Sequence, residues 1–147
     1  MVSLPIRHGN HFLSDLKCHL IFVTKYRRKV ISLRVKDKLV SIFTNICNSF
    51  KANLLECNGE EDHIHLLIEY HPATSISQIV KSLKGISSKI IRCKSYPEVT
   101  EKLWGRHLWS SGYYVTSCGG VTVNILKKYI ENQDAVYPPA EAGGFTA

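Results

Sequence analysis

Alternating hydrophobic and polar residues mark the first predicted strand, at about residues 16–24. Cys18, Leu20 and Phe22 fall on one face of it, because successive side chains of an extended chain point in opposite directions. The pattern then changes to steps of three and four residues, which are typical of an amphipathic helix. We expect this helix over about residues 35–50. Its buried stripe would consist of Val35, Leu39, Ile42, Phe43, Ile46 and Phe50.

Two further strands are predicted at about residues 53–57 and 62–69, joined through Asn58 and Gly59. The Asn-Gly dipeptide is typical of a tight turn between antiparallel strands, so we expect these two strands to form a hairpin. A last, short strand is expected at about residues 113–117.

Two more helices are expected in the second half of the chain. One spans about residues 75–92, where Ser75 or Ser77 is placed to cap the N-terminus. The other spans about residues 122–134 and follows the pair Gly119-Gly120. This pair suits a hinge that lets the last helix move, and it suits an ordinary turn equally well.

The order of elements is βαββαβ followed by one helix. Right-handed crossovers assemble this order into a four-stranded antiparallel sheet with two helices on one face. We therefore predict an α+β, ferredoxin-like fold with an extra C-terminal helix. Residues 16–134 are expected to form this domain, between an N-terminal extension at 1–15 and a flexible tail at 135–147.

The excess of positive charge narrows the class of partner. Nineteen Lys and Arg residues stand against twelve Asp and Glu in a chain of 147 residues, which gives a formal charge of +7. This excess in a small domain favours a polyanion such as nucleic acid. The sequence contains neither the run of about 20 apolar residues that a membrane helix needs nor a secretion signal. We therefore expect a cytoplasmic protein.

The five cysteines are scattered and include no CxxC pair, which argues against a zinc ribbon and against a disulfide framework. They are Cys18, Cys47, Cys57, Cys93 and Cys118. Most lie within apolar stretches, so we expect buried free thiols.

A pair of histidines in the third predicted strand is the first candidate for chemistry. His63 and His65 are two residues apart, so they share one face of the strand while Ile64 and its apolar neighbours share the other. Two imidazoles about 7 Å apart along a strand can hold one divalent cation. Taken alone, the spacing fits a solvated pair of histidines better.

A tyrosine on the last predicted helix is the second candidate. Tyr129 and Gln133 are four residues apart and therefore lie one turn apart on the same face. A tyrosine hydroxyl can attack phosphorus when a metal polarises the phosphate, and the amide oxygen of Gln133 could complete the metal shell. Such an open site suits Mg²⁺ or Mn²⁺. Taken alone, Tyr129 fits a residue that merely packs beside Ile125 better than it fits a nucleophile.

Several motifs, in their order along the chain, together resemble one family. They are Tyr26-Arg27-Arg28-Lys29, Asp62-His63-Ile64-His65-Leu66-Leu67-Ile68, Leu83-Lys84-Gly85, Leu103-Trp104-Gly105 with His107-Leu108-Trp109-Ser110-Ser111-Gly112-Tyr113-Tyr114-Val115, and Tyr129-Ile130-Glu131-Asn132-Gln133. Over residues 16–133 the chain resembles the small single-tyrosine HUH transposases that serve insertion sequences of the 200/605 type.

The resemblance implies a metal-dependent reaction on single-stranded DNA. His63, His65 and Gln133 would bind a divalent cation, Mg²⁺ or Mn²⁺, that polarises the scissile phosphate. Tyr129 would attack this phosphate, forming a 5′-phosphotyrosine link and freeing a 3′-hydroxyl for later strand exchange. The resemblance also implies a homodimer in which the tyrosine helix of one subunit completes the site of the other, and DNA with hairpins near the ends of the element.

Basic residues near these motifs are candidate contacts to DNA phosphates. They are Lys25, Arg27, Arg28, Lys29, Lys81, Lys84, Lys89 and Arg92. A solvated helix face explains those after position 80 about as well. Trp104 and Trp109 could stack on unpaired bases or pack in the core, and Asp62 could orient a metal ligand or cap the hairpin turn.

Three other functions remain open on the sequence. The first is a metal-dependent nuclease that uses water and needs no tyrosine, and the second is a domesticated DNA-binding relative without catalysis. The third is a related transposase that acts on repeated extragenic palindromes with the same chemistry.

Overall fold

The computed structural model describes residues 6–103, 105–117 and 123–132. Trp104, Cys118, the glycine pair at 119–120, Gln133 and the expected tail lie outside these residues. In chain order the elements are β1 (Arg7–His8), β2 (Leu13–Ser14), β3 (Lys17–Val23), α1 (Leu33–Ser49), β4 (Asn53–Glu60), β5 (His63–Glu69), α2 (Ile76–Cys93), α3 (Pro97–Thr100), β6 (Tyr114–Ser117) and α4 (Val123–Glu131).

The main sheet has four strands in the order β4-β5-β3-β6. Each neighbouring pair is antiparallel. Helices α1 and α2 pack against each other and share one hydrophobic core with the sheet. The predicted α+β, ferredoxin-like order βαββαβ with an additional C-terminal helix is therefore confirmed.

The core lies between the inward faces of β3 and β5 and the two long helices. Leu20 and Phe22 on β3 and Ile64 and Leu66 on β5 are completely buried, as the alternation predicts. Burying an apolar side chain of this size contributes about 1.5–3 kcal/mol relative to leaving it exposed. The stripe predicted for α1 is buried against these strands from Val35 to Ile46, whereas Phe50 follows the end of the helix and is only partly buried. The rings of Phe22 and Phe43 meet edge to face there, with centroids 6.1 Å apart.

The position predicted for the hairpin turn, at Asn58-Gly59, is wrong. Strands β4 and β5 stay paired as far as Glu60 and His63, and the turn consists of Glu61 and Asp62. Gly59 lies within β4, where a Cβ atom would be 2.3 Å from the carbonyl oxygen of His63. The glycine therefore permits a close approach of the two strands. An Asn-Gly dipeptide in the sequence does not show whether its glycine serves a turn or such a close approach.

Serine side chains fix the start of both long helices. Ser32 Oγ accepts a hydrogen bond from the backbone N–H of Val35 at 3.3 Å. Ser75 Oγ accepts one from Gln78 at 3.4 Å, which confirms Ser75 as the predicted N-cap of α2. Each cap satisfies a backbone donor that would otherwise lack a partner and contributes about 1 kcal/mol.

The described part of the expected N-terminal extension is attached to the sheet. Strands β1 and β2 form a short antiparallel hairpin. The Arg7 guanidinium donates hydrogen bonds to both carboxylate oxygens of Glu69, at 2.7 and 2.8 Å. Such a two-point contact between Arg and a carboxylate is among the stronger polar interactions in proteins, so the hairpin is held at the end of β5.

Of the helices among the described residues, none has the length and apolar character that would allow it to cross a membrane.

Candidate active site

The two histidines lie on the face of the sheet opposite the core. His63 pairs with Val23 and His65 with Ile21 on the neighbouring strand. Ile64, between them, is completely buried on the core side. The shared face that the spacing predicts for His63 and His65 is therefore present.

His63 is held by the carboxylate of the preceding residue. His63 Nδ1 donates to Asp62 Oδ1 at 2.9 Å, and Asp62 Oδ2 accepts from Arg27 Nε at 3.3 Å. A carboxylate only accepts, so Nδ1 carries the proton and the lone pair of the ring lies on Nε2. Asp62 thus contacts the His63 ring, and Arg27 contacts Asp62.

His65 has a histidine neighbour that the sequence did not single out. His19 Nδ1 and His65 Nε2 are joined by a hydrogen bond of 2.7 Å, and the ring centroids are 4.9 Å apart. His19 pairs with Leu67, so it is the diagonal neighbour of His65 on the same face. The sequence placed His19 on the alternate face of β3, but only the strand register shows that this face meets His65.

Burial keeps His65 in its neutral form. Desolvation lowers the pKa of His65, the neighbouring His19 and His63 lower it further, and Glu56 opposes the shift. A neutral imidazole is the form that can donate a lone pair to a cation.

The C-terminal helix lies on the same face as the histidines. Tyr129 on α4 packs against Tyr114, with ring centroids 5.4 Å apart. Tyr114 pairs with Ile21, which pairs with His65, so the three form one row across β6, β3 and β5. Residues paired in this way share a face of the sheet.

A pocket of about 360 Å³ opens between α4 and the start of β5. Its lining includes Arg27, Asp62 and His63 from the sheet end, and Lys127 and Glu131 from α4. Cationic and anionic side chains therefore surround one of the two candidate metal ligands, next to the helix that carries Tyr129.

Tyr129 is half-buried, and burial raises the pKa of its hydroxyl to about 12. The phenol therefore carries its proton at neutral pH. A phenol in this state is a weak nucleophile and needs a group that accepts its proton or stabilises the phenolate.

The donors for a metal ion are incomplete in the described part of the chain. No group of three or more His, Cys, Asp or Glu side chains among residues 6–103, 105–117 and 123–132 could hold an ion. His63 and His65 supply two nitrogen donors, and Gln133, the third expected ligand, lies outside the described residues. The chemistry of the two imidazoles fits an open site in which further donors come from elsewhere.

The basic run after β3 lies at the same end of the sheet as His63. Residues Lys25–Arg27 form a 3₁₀ turn, and the Lys25 ammonium and the Arg28 guanidinium lie over the Tyr26 ring, at 5.3 and 6.0 Å from its centroid. Lys29, the last residue of the run, is exposed.

The lysines of α2 fall into two groups. Lys81 and Lys89 are exposed. Lys84 Nζ instead donates to the carbonyl oxygens of Ser110 and Gly112, at 2.7 and 2.5 Å. Burial and then the nearby Lys25 lower the pKa of Lys84 to about 8. Lys84 therefore attaches the loop at 105–112 to the helix.

Trp109 belongs to the core. Its side chain is buried, it lies 5.7 Å from the Phe22 ring, and its indole nitrogen donates to Ser87 Oγ at 2.9 Å. The structure therefore shows core packing, one of the two roles considered for this residue. The buried ring offers no surface on which a base could stack.

Comparison with known proteins places the chain among transposases. A family model described as "Transposase IS200 like" matches residues 12–133. The ISDra2 transposase TnpA of Deinococcus radiodurans is 33% identical over 133 residues, which are 90% of this chain and 94% of that protein. A transposase for the insertion sequence element IS200 from Salmonella typhimurium is 32% identical over 123 residues, 84% of this chain and 80% of that protein.

Solved structures agree with this result at the level of the fold. A crystal structure of a transposase from Deinococcus radiodurans has a TM-score of 0.77 and 32% identity, and covers 88% of this chain and 99% of that one. A REP-associated tyrosine transposase bound to a REP hairpin has a TM-score of 0.52 over 89% of this chain and 69% of that one. Its 6% identity shows a common fold alone.

Proposed function

This chain belongs to the IS200-like transposase family, and on that premise we propose that it cuts and rejoins single-stranded DNA through Tyr129. The observation that carries the proposal is the placement of α4 on the histidine face of the sheet. Tyr129 contacts Tyr114, which lies in one row with Ile21 and His65. A nucleophile and two candidate metal ligands thus share one surface.

The proposed reaction is a transfer of one phosphodiester. Tyr129 Oη attacks the phosphorus, the bond from phosphorus to the 3′-oxygen breaks, and the phenolic proton is transferred to that oxygen. The products are a 5′-phosphotyrosine link and a free 3′-hydroxyl. Because one phosphoester replaces another, a 3′-hydroxyl can later attack the link and rejoin strands without an external energy source.

The histidine pair is the proposed binding site for a divalent cation, Mg²⁺ or Mn²⁺, with Gln133 as a further ligand. When bound, the cation would supply Lewis-acid polarisation of the phosphate. His63 is suited to this role because Asp62 holds Nδ1 and leaves Nε2 free. His65 is suited to it because its lowered pKa keeps the ring neutral.

Burial of Tyr129 explains why the site would need such assistance. With a pKa of about 12, the hydroxyl stays protonated at neutral pH. Arg27 and Lys127 line the adjacent pocket and can contact the charged oxygens of a bound phosphate. Cleavage would then depend on DNA that is correctly placed.

The proposed partners are single-stranded DNA with hairpins near the ends of the element, and a second copy of this chain. The formal charge of +7 supports an anionic partner. The solved REP-associated tyrosine transposase, which shares this fold, is bound to a REP hairpin. A homodimer is proposed from the family resemblance.

The test uses DNA from the ends of the element, labelled at its 3′ end, because the covalent link would retain the 3′ fragment. Wild type is expected to give a slowly migrating, protein-linked band on a denaturing gel only when Mg²⁺ or Mn²⁺ is present. Tyr129→Phe is expected to lose this band, since it removes only the attacking oxygen. Tyr96→Phe, a matched removal of a hydroxyl outside the pocket, is expected to retain it.

Two results would contradict the proposal. Metal-dependent cleavage by Tyr129→Phe, without a linked band in wild type, would identify a nuclease that uses water. Hairpin binding by wild type without cleavage, with the same affinity in His63→Ala, would identify a DNA-binding protein without catalysis.

A further inference from the structure

A groove of about 350 Å³ runs between α2 and the loop at 105–112. We call it the α2 groove. Its lining includes Lys84, Gly85 and Arg92 from the helix, and Arg106 and Ser110 from the loop. The described residues that line it include no Asp or Glu, so its positive charges have no acidic counterpart within the groove.

The cations of the α2 groove have different tasks. Lys84 holds the loop through the carbonyl oxygens of Ser110 and Gly112. Arg92 Nε donates to Ser88 Oγ at 3.2 Å, which leaves the terminal amino groups of the guanidinium for a ligand. Arg106 is exposed at the groove. Arg92 and Arg106 are thus the residues able to bind an external anion.

Gly85 lies in the middle of α2, and nothing in the described residues explains why this position is a glycine. Apart from its own stretch of helix, no heavy atom of these residues lies within 4 Å of the position that a Cβ would take. A glycine weakens a helix relative to alanine, and no close packing compensates here. A glycine in a groove wall does allow a ligand backbone to come close.

The α2 groove is connected to the candidate active site through backbone contacts. Ser110 N donates to Val23 O at 2.7 Å, and Lys25 N donates to Leu108 O at 2.9 Å. The residue between them, Thr24, donates from its own N–H to Asp62 O at 2.9 Å. The groove therefore lies at the same end of the sheet as Asp62 and His63, with the basic run after β3 between them.

The arginines of the groove are suited to a DNA backbone, and the indole in its lining is not available to bases. Its one described indole, Trp109, is 4% exposed, so a base has no indole face there on which to stack. Arginine side chains around an open wall are suited to phosphate oxygens. Helix α2 lies on the core face of the sheet, so a strand of DNA would reach the groove from the active site by passing round the end of the sheet over the basic run.

We propose that the α2 groove binds the sugar–phosphate backbone of single-stranded DNA next to the cleavage site, with Arg92 and Arg106 contacting phosphates and Gly85 giving the strand room. The proposal rests on the proposed function in one respect, the identity of the partner as DNA. Of the basic residues on α2, it assigns the contact to Arg92 and leaves Lys81 and Lys89 outside it.

The test compares two double variants that lose the same charge. Arg92→Gln with Arg106→Gln removes both groove contacts, whereas Lys81→Gln with Lys89→Gln removes two exposed charges of the same helix outside the groove. Binding of a labelled, hairpin-free oligodeoxynucleotide is measured by fluorescence anisotropy at several salt concentrations, without divalent metal. The groove variant is expected to bind the oligonucleotide about tenfold more weakly than wild type. Its salt slope is expected to fall by roughly 1.4, since each phosphate contact contributes about 0.7.

Gly85→Leu tests the shape of the groove separately. Leucine favours a helix and has open space at this position, so the melting temperature is expected to stay the same or rise. DNA binding is expected to weaken, because the side chain fills the groove wall. A variant that is stable and binds DNA less well would exclude misfolding as the cause.

The outcomes separate the two proposals. If wild type binds the oligonucleotide and the two double variants have equal affinities and slopes, the groove proposal is wrong and the cleavage proposal is untouched. If wild type does not bind this oligonucleotide, the groove proposal fails, and the cleavage proposal is still decided by the linked band in the cleavage assay. If the cleavage assay gives a linked band but the groove variant has the same salt slope as wild type, only the groove proposal is rejected.

Discussion

At the scale of single residues, neighbours decide which nitrogen of each histidine remains available. Asp62 binds Nδ1 of His63, and His19 binds Nε2 of His65. When His65 Nε2 donates to His19, the lone pair of His65 lies on Nδ1, and this hydrogen bond does not occupy it. Both contacts fix a ring that would otherwise rotate, which is the usual role of residues behind a metal ligand.

The first prediction concerns His19 as a positioning residue for His65. His19→Phe removes the nitrogen but keeps a ring, and we expect it to weaken Mn²⁺ binding by about 10- to 100-fold. His19→Asn is expected to retain most of the affinity, because its amide oxygen can accept the same hydrogen bond. Isothermal titration of the DNA-free protein with Mn²⁺ measures this without any cleavage step.

His8→Phe is the matched control, since this histidine is exposed in the N-terminal hairpin. Equal affinities of wild type, His19→Phe and His8→Phe would contradict a positioning role for His19. A loss in His19→Asn as large as in His19→Phe would point to His19 as a ligand in its own right.

At the scale of elements, the β4–β5 pair determines where the histidines lie. The hairpin extends to Glu60 and His63, so Asp62 is a turn residue and its carboxylate can reach back to the His63 ring. Gly59 makes this pairing possible, because any side chain there would meet the backbone of His63. The position of the candidate site thus depends on a glycine in the adjacent strand.

The second prediction follows from that contact. Gly59→Ala is expected to lower the free energy of unfolding by about 1–3 kcal/mol, the usual cost of inserting an extra carbon into a tightly packed region. It is also expected to weaken Mn²⁺ binding, because the strand that carries His63 must move. Denaturant unfolding and metal titration measure the two effects.

Gly85→Ala provides the comparison at a glycine with open space. It is expected to stabilise the protein by about 0.5–1 kcal/mol, since alanine favours a helix interior and no described atom opposes it. The hairpin argument would fail if Gly59→Ala were as stable as wild type and bound Mn²⁺ equally well.

At the scale of the whole molecule, α4 lies on the sheet of its own chain. Tyr129 contacts Tyr114, and residues of α4 share a pocket with His63. The family resemblance instead implies a tyrosine helix that is exchanged between two subunits. The glycine pair at 119–120 that would serve as the hinge lies outside the described residues, so the hinge stays a prediction.

The third prediction distinguishes these two arrangements. A heterodimer of His63→Ala and Tyr129→Phe would contain one intact site if the helix is exchanged, but none if each helix serves its own sheet. The placement of α4 predicts that a mixture of the two variants, unfolded and refolded together, forms no protein-linked DNA. Recovery of the linked band to roughly a quarter of the wild-type level would establish exchange, since about half of the dimers are mixed and each has one good site.

The sequence by itself determined the fold class and most of the element boundaries, because periodic burial is a local signal. The stripe from Val35 to Ile46 and the alternation from Cys18 to Phe22 each fix which side of one element is apolar. The same period placed His63 and His65 on a common face. The motifs also predicted the family, which the comparisons confirm.

Only the tertiary structure decided how these faces meet. The register of β3 against β5 brings His19 to His65, and contacts between distant segments make Lys84 and Trp109 structural rather than free for DNA. The role of Gly59 could not be read from Asn-Gly, because a turn and a close strand contact both require a residue without a side chain. Pairing between strands and packing between layers depend on residues that are far apart in the chain. A local sequence pattern does not show which distant residue becomes the neighbour.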